Sequence, residues 1–171
     1  MASFHVYCEA ASAAGEEAQI SALIDQANKL RLFEEPYWVD LLHYKPTSFS
    51  RTGVVSSVQT DQFFLSLSGK TDPASEMDAT IKAVFLAQDQ TDLNAHAQCR
   101  FVARFKWLKQ RLAWRQEWLP QVACPGFKKW SLNGEVESIS FIFASGYLGN
   151  PASFFGHPLL RFNSEGEGQE L

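Results

Sequence analysis

The stretch from Gln98 to Trp118 constrains the fold of this chain more than any other. Phe101, Phe105, Leu108 and Leu112 recur at helical spacing along one stripe, with Trp107, Trp114 and Trp118 on a second stripe beside it. A helix so apolar on two adjoining faces has to be packed against further elements. Several upstream segments have the right pattern. Glu16–Phe33 repeats Ile20, Leu23, Ile24, Ala27 and Leu30 at i, i+3, i+4, with Glu16 and Glu17 near its positive end. After Pro36, Tyr37–Tyr44 predicts a short helix with Trp38, Leu41 and Leu42 on one face. Asp72 as N-cap and Pro73 at the first helical position predict another, carrying Met77, Ile81, Val84 and Phe85 to about Gln88.

Strand patterns come mainly later. Ser50–Val58 reads as β-rich or irregular, and Phe63–Leu67 as a strand. After Pro120 and Pro125, Gly126–Leu132 predicts a helical turn or two. Glu135–Ala144 alternates Ile139, Phe141 and Phe143 against Ser138 and Ser140, and Leu159–Phe162 reads as a second strand before the polar turn 163–169. The expected class is α+β, with N-terminal helices followed by a small antiparallel sheet.

At 171 residues the chain suits one domain, long enough to bury roughly two-thirds of its unfolded surface. Its 15 basic and 19 acidic side chains give a net charge of −4, which argues against nucleic acid as a partner. No apolar run reaches the roughly 20 residues needed to span a bilayer. Ala2–Ala13 is small and apolar and ends in Ala11-Ser12-Ala13, like the tail of a cleaved leader, although the first basic residue is Lys29. Residues 1–14 are therefore expected to be a leader remnant or a disordered arm, and residues 15–171 a single domain.

The cysteines are Cys8, Cys99 and Cys124. In an exported protein Cys99 and Cys124 would form a disulfide; the alternatives are two buried thiols or a weak metal set with His96. Cys99 at a helix start could also serve as a nucleophile, since the helix dipole lowers a thiol pKa. No metal and no cofactor are expected. Among the histidines, His157 follows Gly156 and opens a strand, a position from which it could act as a general base. By residue type alone it reads more readily as a structural histidine, because neither Ser145 nor Ser153 sits in a nucleophile elbow. His43 is expected to be packed and hydrogen-bonded, and His96 to lie in a polar loop. The Gln98–Trp118 segment also holds Arg100, Arg104, Lys106, Lys109, Arg111 and Arg115 against a single acid, Glu117. That pattern suits either a membrane interface or simple solvation of a packed helix.

Several blocks carry a family resemblance. Cys99-Arg100-Phe101-x-Ala103-Arg104-Phe105-x-Trp107-Leu108 looks like a C-R-F-x-A-R-x-x-W-L signature. Trp38-x-x-Leu41-Leu42-His43-Tyr44, Asp61-x-Phe63-Phe64-Leu65 and Gly69-Lys70-x-Asp72-Pro73 precede it. Tyr147-Leu148-x-Asn150-Pro151-Ala152-Ser153-x-Phe155-Gly156-His157-x-Leu159-Leu160-Arg161 follows it. In this order, over roughly residues 20–162, the blocks resemble the Lnb N-terminal periplasmic domain family.

The resemblance implies an envelope or periplasmic location and a core similar to part of the permuted, NlpC-like relatives of papain. It implies thiol-dependent acyl transfer to lipoproteins in the full-length protein, with lipoprotein or phospholipid acyl groups and a membrane surface as partners. His157 would be the base; Arg104, Arg161 and Asn150 would contact substrate or lipid; Cys99 and Cys124 would be structural. The family's nucleophile is expected in a later E-N-C-[SA]-Y-like segment, and no cysteine follows His157 here. The chain is accordingly expected to be truncated at its C-terminal end and its own catalysis to be open. The alternatives are a papain-like cysteine peptidase or amidase, or a non-catalytic domain that binds lipoprotein or membrane.

Overall fold

The computed structural model describes residues 3–112, 114, 116–144 and 157–164. Among them are six helices and two two-stranded antiparallel sheets, an α+β arrangement. The chain divides into two compact units, Met1–Cys124 and Pro125–Leu171.

The first unit is helical. Helix α1 spans Ser3–Lys29, so the backbone of residues 3–14 continues the helix expected from Glu16. Helix α2 (Pro36–Leu41) ends where His43 turns into the left-handed region at φ 57°. This turn leaves His43 exposed between buried Leu42 and Tyr44, rather than packed as its neighbours suggested. Strands β1 (Tyr44–Pro46) and β2 (Val54–Ser56) form a short hairpin. Helix α3 (Pro73–Val84) starts as its sequence predicts: the Asp72 carboxylate accepts from the Ser75 N–H at 3.1 Å, and Pro73 needs no N–H partner.

The long periodic segment does not form one helix. It is divided into α4 (Ala97–Arg100), α5 (Val102–Arg111) and a 3₁₀ turn at Gln116–Trp118. Phe101 (φ −120°, ψ 46°) breaks it first, and extended Leu112 breaks it again. The second break separates two tryptophans that a continuous helix would stack on one face. Trp107 lies against Tyr37 and Trp38, with centroids 5.7 and 5.6 Å away, whereas Trp114 lies against Phe85 and Phe105. Each reaches a different side of the core. That core gathers Leu23 and Ala27 of α1, Trp38 of α2, Met77, Ile81 and Val84 of α3, and Leu108 of α5.

The second unit holds helix α6 (Pro125–Trp130) and the hairpin of β3 (Val136–Ala144) and β4 (His157–Ser164). The register runs from Ser138 opposite Asn163 to Ala144 opposite His157, with an irregularity between Val136 and Ser138. Because side chains alternate across a strand, this register sorts the hairpin into two faces. Positions 139, 141, 143, 158, 160 and 162 share one face; positions 138, 140, 142, 157, 159, 161 and 163 share the other.

Candidate functional site

The family-derived site residues fall in different units. His157 opens β4, and Arg161, four residues on, occupies the same face of the strand. Arg161 is partly buried and lies opposite Ser140. Beside it, Asn163 donates from Nδ2 to the hydroxyls of Ser138 and Ser140 at 3.0 and 2.9 Å. This face is therefore polar toward its open end, with Ile142 and Leu159 between that end and position 157. Asn150 lies outside the described residues.

Arg104 belongs to the interior of the first unit. Its Nη1 donates to Glu76 Oε1 at 2.7 Å, and its Nη2 donates to the Phe63 carbonyl at 2.7 Å. The guanidinium also lies 4.2 Å from the Phe101 ring centroid and 4.4 Å from that of Phe63. Glu76 is completely buried; it accepts the Leu65 N–H at 2.9 Å and the Ser66 N–H at 2.8 Å as well as the arginine. Burial pushes the Glu76 carboxyl up from its ordinary range, opposed by the Ser66 and Leu65 N–H groups and by Arg104. Burial likewise pulls the Arg104 guanidinium down, and it pushes the neighbouring Tyr44 phenol up.

This cluster explains why Phe63–Leu67 is not a strand. The N–H groups of Leu65 and Ser66 point at a carboxylate instead of a neighbouring strand. It also requires a glycine. A Cβ on Gly69 would sit 2.2 Å from Glu76 Oε2, and the Tyr44 hydroxyl donates to the Gly69 carbonyl. Glu76 was missed in the sequence because its helix position resembles an ordinary charged first turn. The one available signal was Arg104, a cation among aromatic residues with no acid nearby in sequence.

Cys99 and Cys124 are joined by a disulfide, with Cα atoms 5.2 Å apart. Neither is a thiol while that bond holds. Next to it, Gln88 clasps the backbone of Ala123, accepting its N–H at 3.0 Å and donating to its carbonyl at 2.6 Å. His96 is not in an open polar loop: it is buried and caps α4. Its Nδ1 accepts the Gln98 N–H at 3.2 Å, which assigns the proton to Nε2, 2.8 Å from the Leu86 carbonyl. Both ring nitrogens are thereby engaged. Among the described residues, no group of three or more His, Cys, Asp or Glu side chains could hold a metal ion.

The basic side chains of α4 and α5 also have protein partners. Arg100 donates to the Gln62 carbonyl at 2.7 Å, and Arg111 pairs with Glu35. Among the described residues, no helix is long and apolar enough to cross a membrane. A cleft of about 650 Å³ opens in the first unit, bordered by Glu16, Gln19, Phe85, Glu117, Trp118 and Leu119, but it holds none of the candidate residues.

The two units thus define a disulfide-bearing α+β chain whose candidate base lies in a small C-terminal hairpin unit. Residues 126–171 match the model of the Lnb N-terminal periplasmic domain family. Residues 30–111 match a separate model, that of a domain of unknown function, DUF7843. The blocks from Trp38 to Leu108 lie within the second match, and the block from Tyr147 to Arg161 lies within the first. The periplasmic match begins one residue after the boundary between the units. It supports an envelope-protein domain with a periplasmic or cell-envelope location. No curated protein and no solved structure matches the chain.

Proposed function

We propose that the second unit supplies the histidine strand of a thiol acyltransferase that acts on lipoproteins, built on a permuted, NlpC-like core. The observation that carries this reading is His157 at the start of β4, within the segment matched to the periplasmic family and on one face with Arg161. In this reading the His157 imidazole takes the proton of a cysteine thiol. The thiolate attacks the ester carbonyl of a phospholipid or lipoprotein acyl chain and expels the alcohol, which leaves with a proton from the imidazolium. A thioester remains. The lipoprotein's N-terminal amine then attacks the thioester carbonyl, forms the amide and releases the thiol. Arg161 and Asn150 are assigned to the lipid phosphate or the developing oxyanion. The nucleophilic thiol is distinct from Cys99 and Cys124, which are bonded to one another. Arg104 belongs to the first unit, where its guanidinium is held by Glu76 and the Phe63 carbonyl.

The test is complementation with the full reading frame, scored by mass spectrometry of lipoprotein N-terminal peptides. Replacement of His157 by Gln is expected to abolish N-acylation while the protein still accumulates. Unchanged N-acylation would defeat the assignment. A second reading, a non-catalytic domain that binds lipoprotein or membrane, is favoured by Ile139, Phe141, Phe143, Leu160 and Phe162, exposed side chains that share one face of the hairpin. It predicts that His157→Gln leaves function intact.

A further inference from the structure

The cleft of about 650 Å³ in the first unit is built from three stretches: α1 at Glu16 and Gln19, the end of α3 with residues 85–87, and the segment 117–120. Residues 1–28, 83–99 and 116–124, which supply them, contain no Lys or Arg, whereas each holds Asp or Glu. The cleft is acidic as a result. Elsewhere in the unit Glu34 pairs with Arg31, Glu35 with Arg111 and Asp72 with Arg51. Among the described residues, neither Glu16 nor Glu117 has a cationic partner. The C-terminal end of α3 adds a partial negative charge at Phe85, and Lys82, the cation of its last turn, does not border the cleft.

The rest of the lining is mainly apolar. Phe85 and Leu119 are buried, Trp118 is partly buried, and Leu86 is 63% exposed. Acid beside aromatic and aliphatic surface fits a cation carried on an apolar stem. Lys and Arg side chains have this build: the methylenes lie on apolar surface while the charged head reaches a carboxylate. The cleft is also open, since Glu16, Leu86 and Glu117 are all exposed. A small free amine is held best where most of its surface is enclosed, whereas an open cleft suits a segment whose remaining contacts lie outside it.

We propose that this cleft binds an extended, basic segment of a partner polypeptide that carries Lys or Arg beside apolar residues. Glu16 and Glu117 receive the cations, and Phe85, Leu86 and Trp118 receive the apolar side chains and stems. Exposed ion pairs are individually weak and screened by salt, so the affinity is moderate and falls as ionic strength rises. The cleft lies wholly within the first unit, and the inference does not depend on a role for His157.

A fluorescein-labelled Lys-Leu-Lys-Leu-Lys amide should bind the purified chain saturably in an anisotropy titration, and its Glu-Leu-Glu-Leu-Glu counterpart should not. Glu16→Lys/Glu117→Lys should weaken binding of the basic peptide by about tenfold or more, and Leu86→Ser by about threefold. Asp40→Lys/Asp61→Lys makes the same change in net charge at exposed positions that do not border the cleft, and should weaken it by less than about twofold. All the substituted side chains are exposed, so circular dichroism of each variant should match the parent. No binding of the basic peptide by the parent, equal binding of the acidic one, or an equal loss in Asp40→Lys/Asp61→Lys overturns the proposal. So does hexylamine that saturates the cleft as tightly as the peptide, which would assign it to a small amine. A parent dimer in sedimentation equilibrium that Glu16→Lys/Glu117→Lys dissociates overturns it as well, by assigning the cleft to a second copy.

Discussion

Replacing Arg104 by Met probes the interior of the first unit in a way that geometry makes quantitative. Met keeps much of the side-chain bulk and removes the cation. Two hydrogen bonds of 2.7 Å are lost, one to Glu76 and one to the Phe63 carbonyl, along with the stacking over Phe63 and Phe101. Glu76 is left fully buried with only the Leu65 and Ser66 N–H groups. Breaking one side of a buried ion pair costs about 3–5 kcal/mol, because the remaining charge is uncompensated. Protonation of Glu76 limits the cost. Burial already pushes its carboxyl up, and Arg104 is one of the groups opposing that shift. In the variant the folded-state pKa therefore rises further above the unfolded value, so stability is greater below the unfolded pKa and is lost as pH rises through the folded one. The deficit should be largest at neutral pH and shrink toward pH ~5. Urea unfolding followed by tryptophan fluorescence would show it as a lower midpoint with an unchanged slope. The double variant Glu76→Leu/Arg104→Met should not recover the loss. It strands the Leu65 and Ser66 N–H groups and the Phe63 carbonyl, at about 1–3 kcal/mol for each buried group. A deficit below about 1 kcal/mol, in the range of a surface pair, or one that grows on acidification, would refute the reasoning.

Other perturbations test neighbouring features. Gly69→Ala places a methyl 2.2 Å from Glu76 Oε2 and should lower the melting temperature measurably in a thermal scan, although the Gly69 backbone needs no left-handed conformation. Reducing the Cys99–Cys124 bond, which spans a sequence separation of 25, should cost about 3–4 kcal/mol; hydrogen exchange should show protection lost at Ala123 first, where Gln88 is its remaining tether. Asp72→Ala removes the cap on the Ser75 N–H and should cost about 1 kcal/mol in the same urea assay.

What could be foreseen from the sequence was mostly local. Asp72 and Pro73 start α3 because a cap and a fixed φ act within one turn. The alternation at Ile139, Phe141 and Phe143 marks β3 because period two is a property of the strand itself. The errors came where a distant partner outweighs local pattern. Gln98–Trp118 has helical periodicity throughout, yet it breaks because Trp107 and Trp114 find different aromatic partners far away in sequence. Phe63–Leu67 has strand composition, yet its N–H groups turn to Glu76, ten and eleven residues on. His96 looked solvent-facing because its acceptor, the Leu86 carbonyl, lies across a loop. At the candidate site, His157 and Arg161 were legible from the Tyr147–Arg161 block, while the face they share became evident only once β4 was seen to begin at His157 instead of Leu159.

The central proposal, His157 as the base of a thiol acyl transfer, is tested most directly by trapping the acyl intermediate. The full-length protein would be incubated with a phospholipid bearing an alkyne-tagged acyl chain, and the bound label measured with and without neutral hydroxylamine. A hydroxylamine-sensitive label that disappears in His157→Gln, and persists when Cys99 and Cys124 are both replaced by Ser, is the predicted result. A label of equal intensity in the His157→Gln protein, or none in the parent, would contradict it.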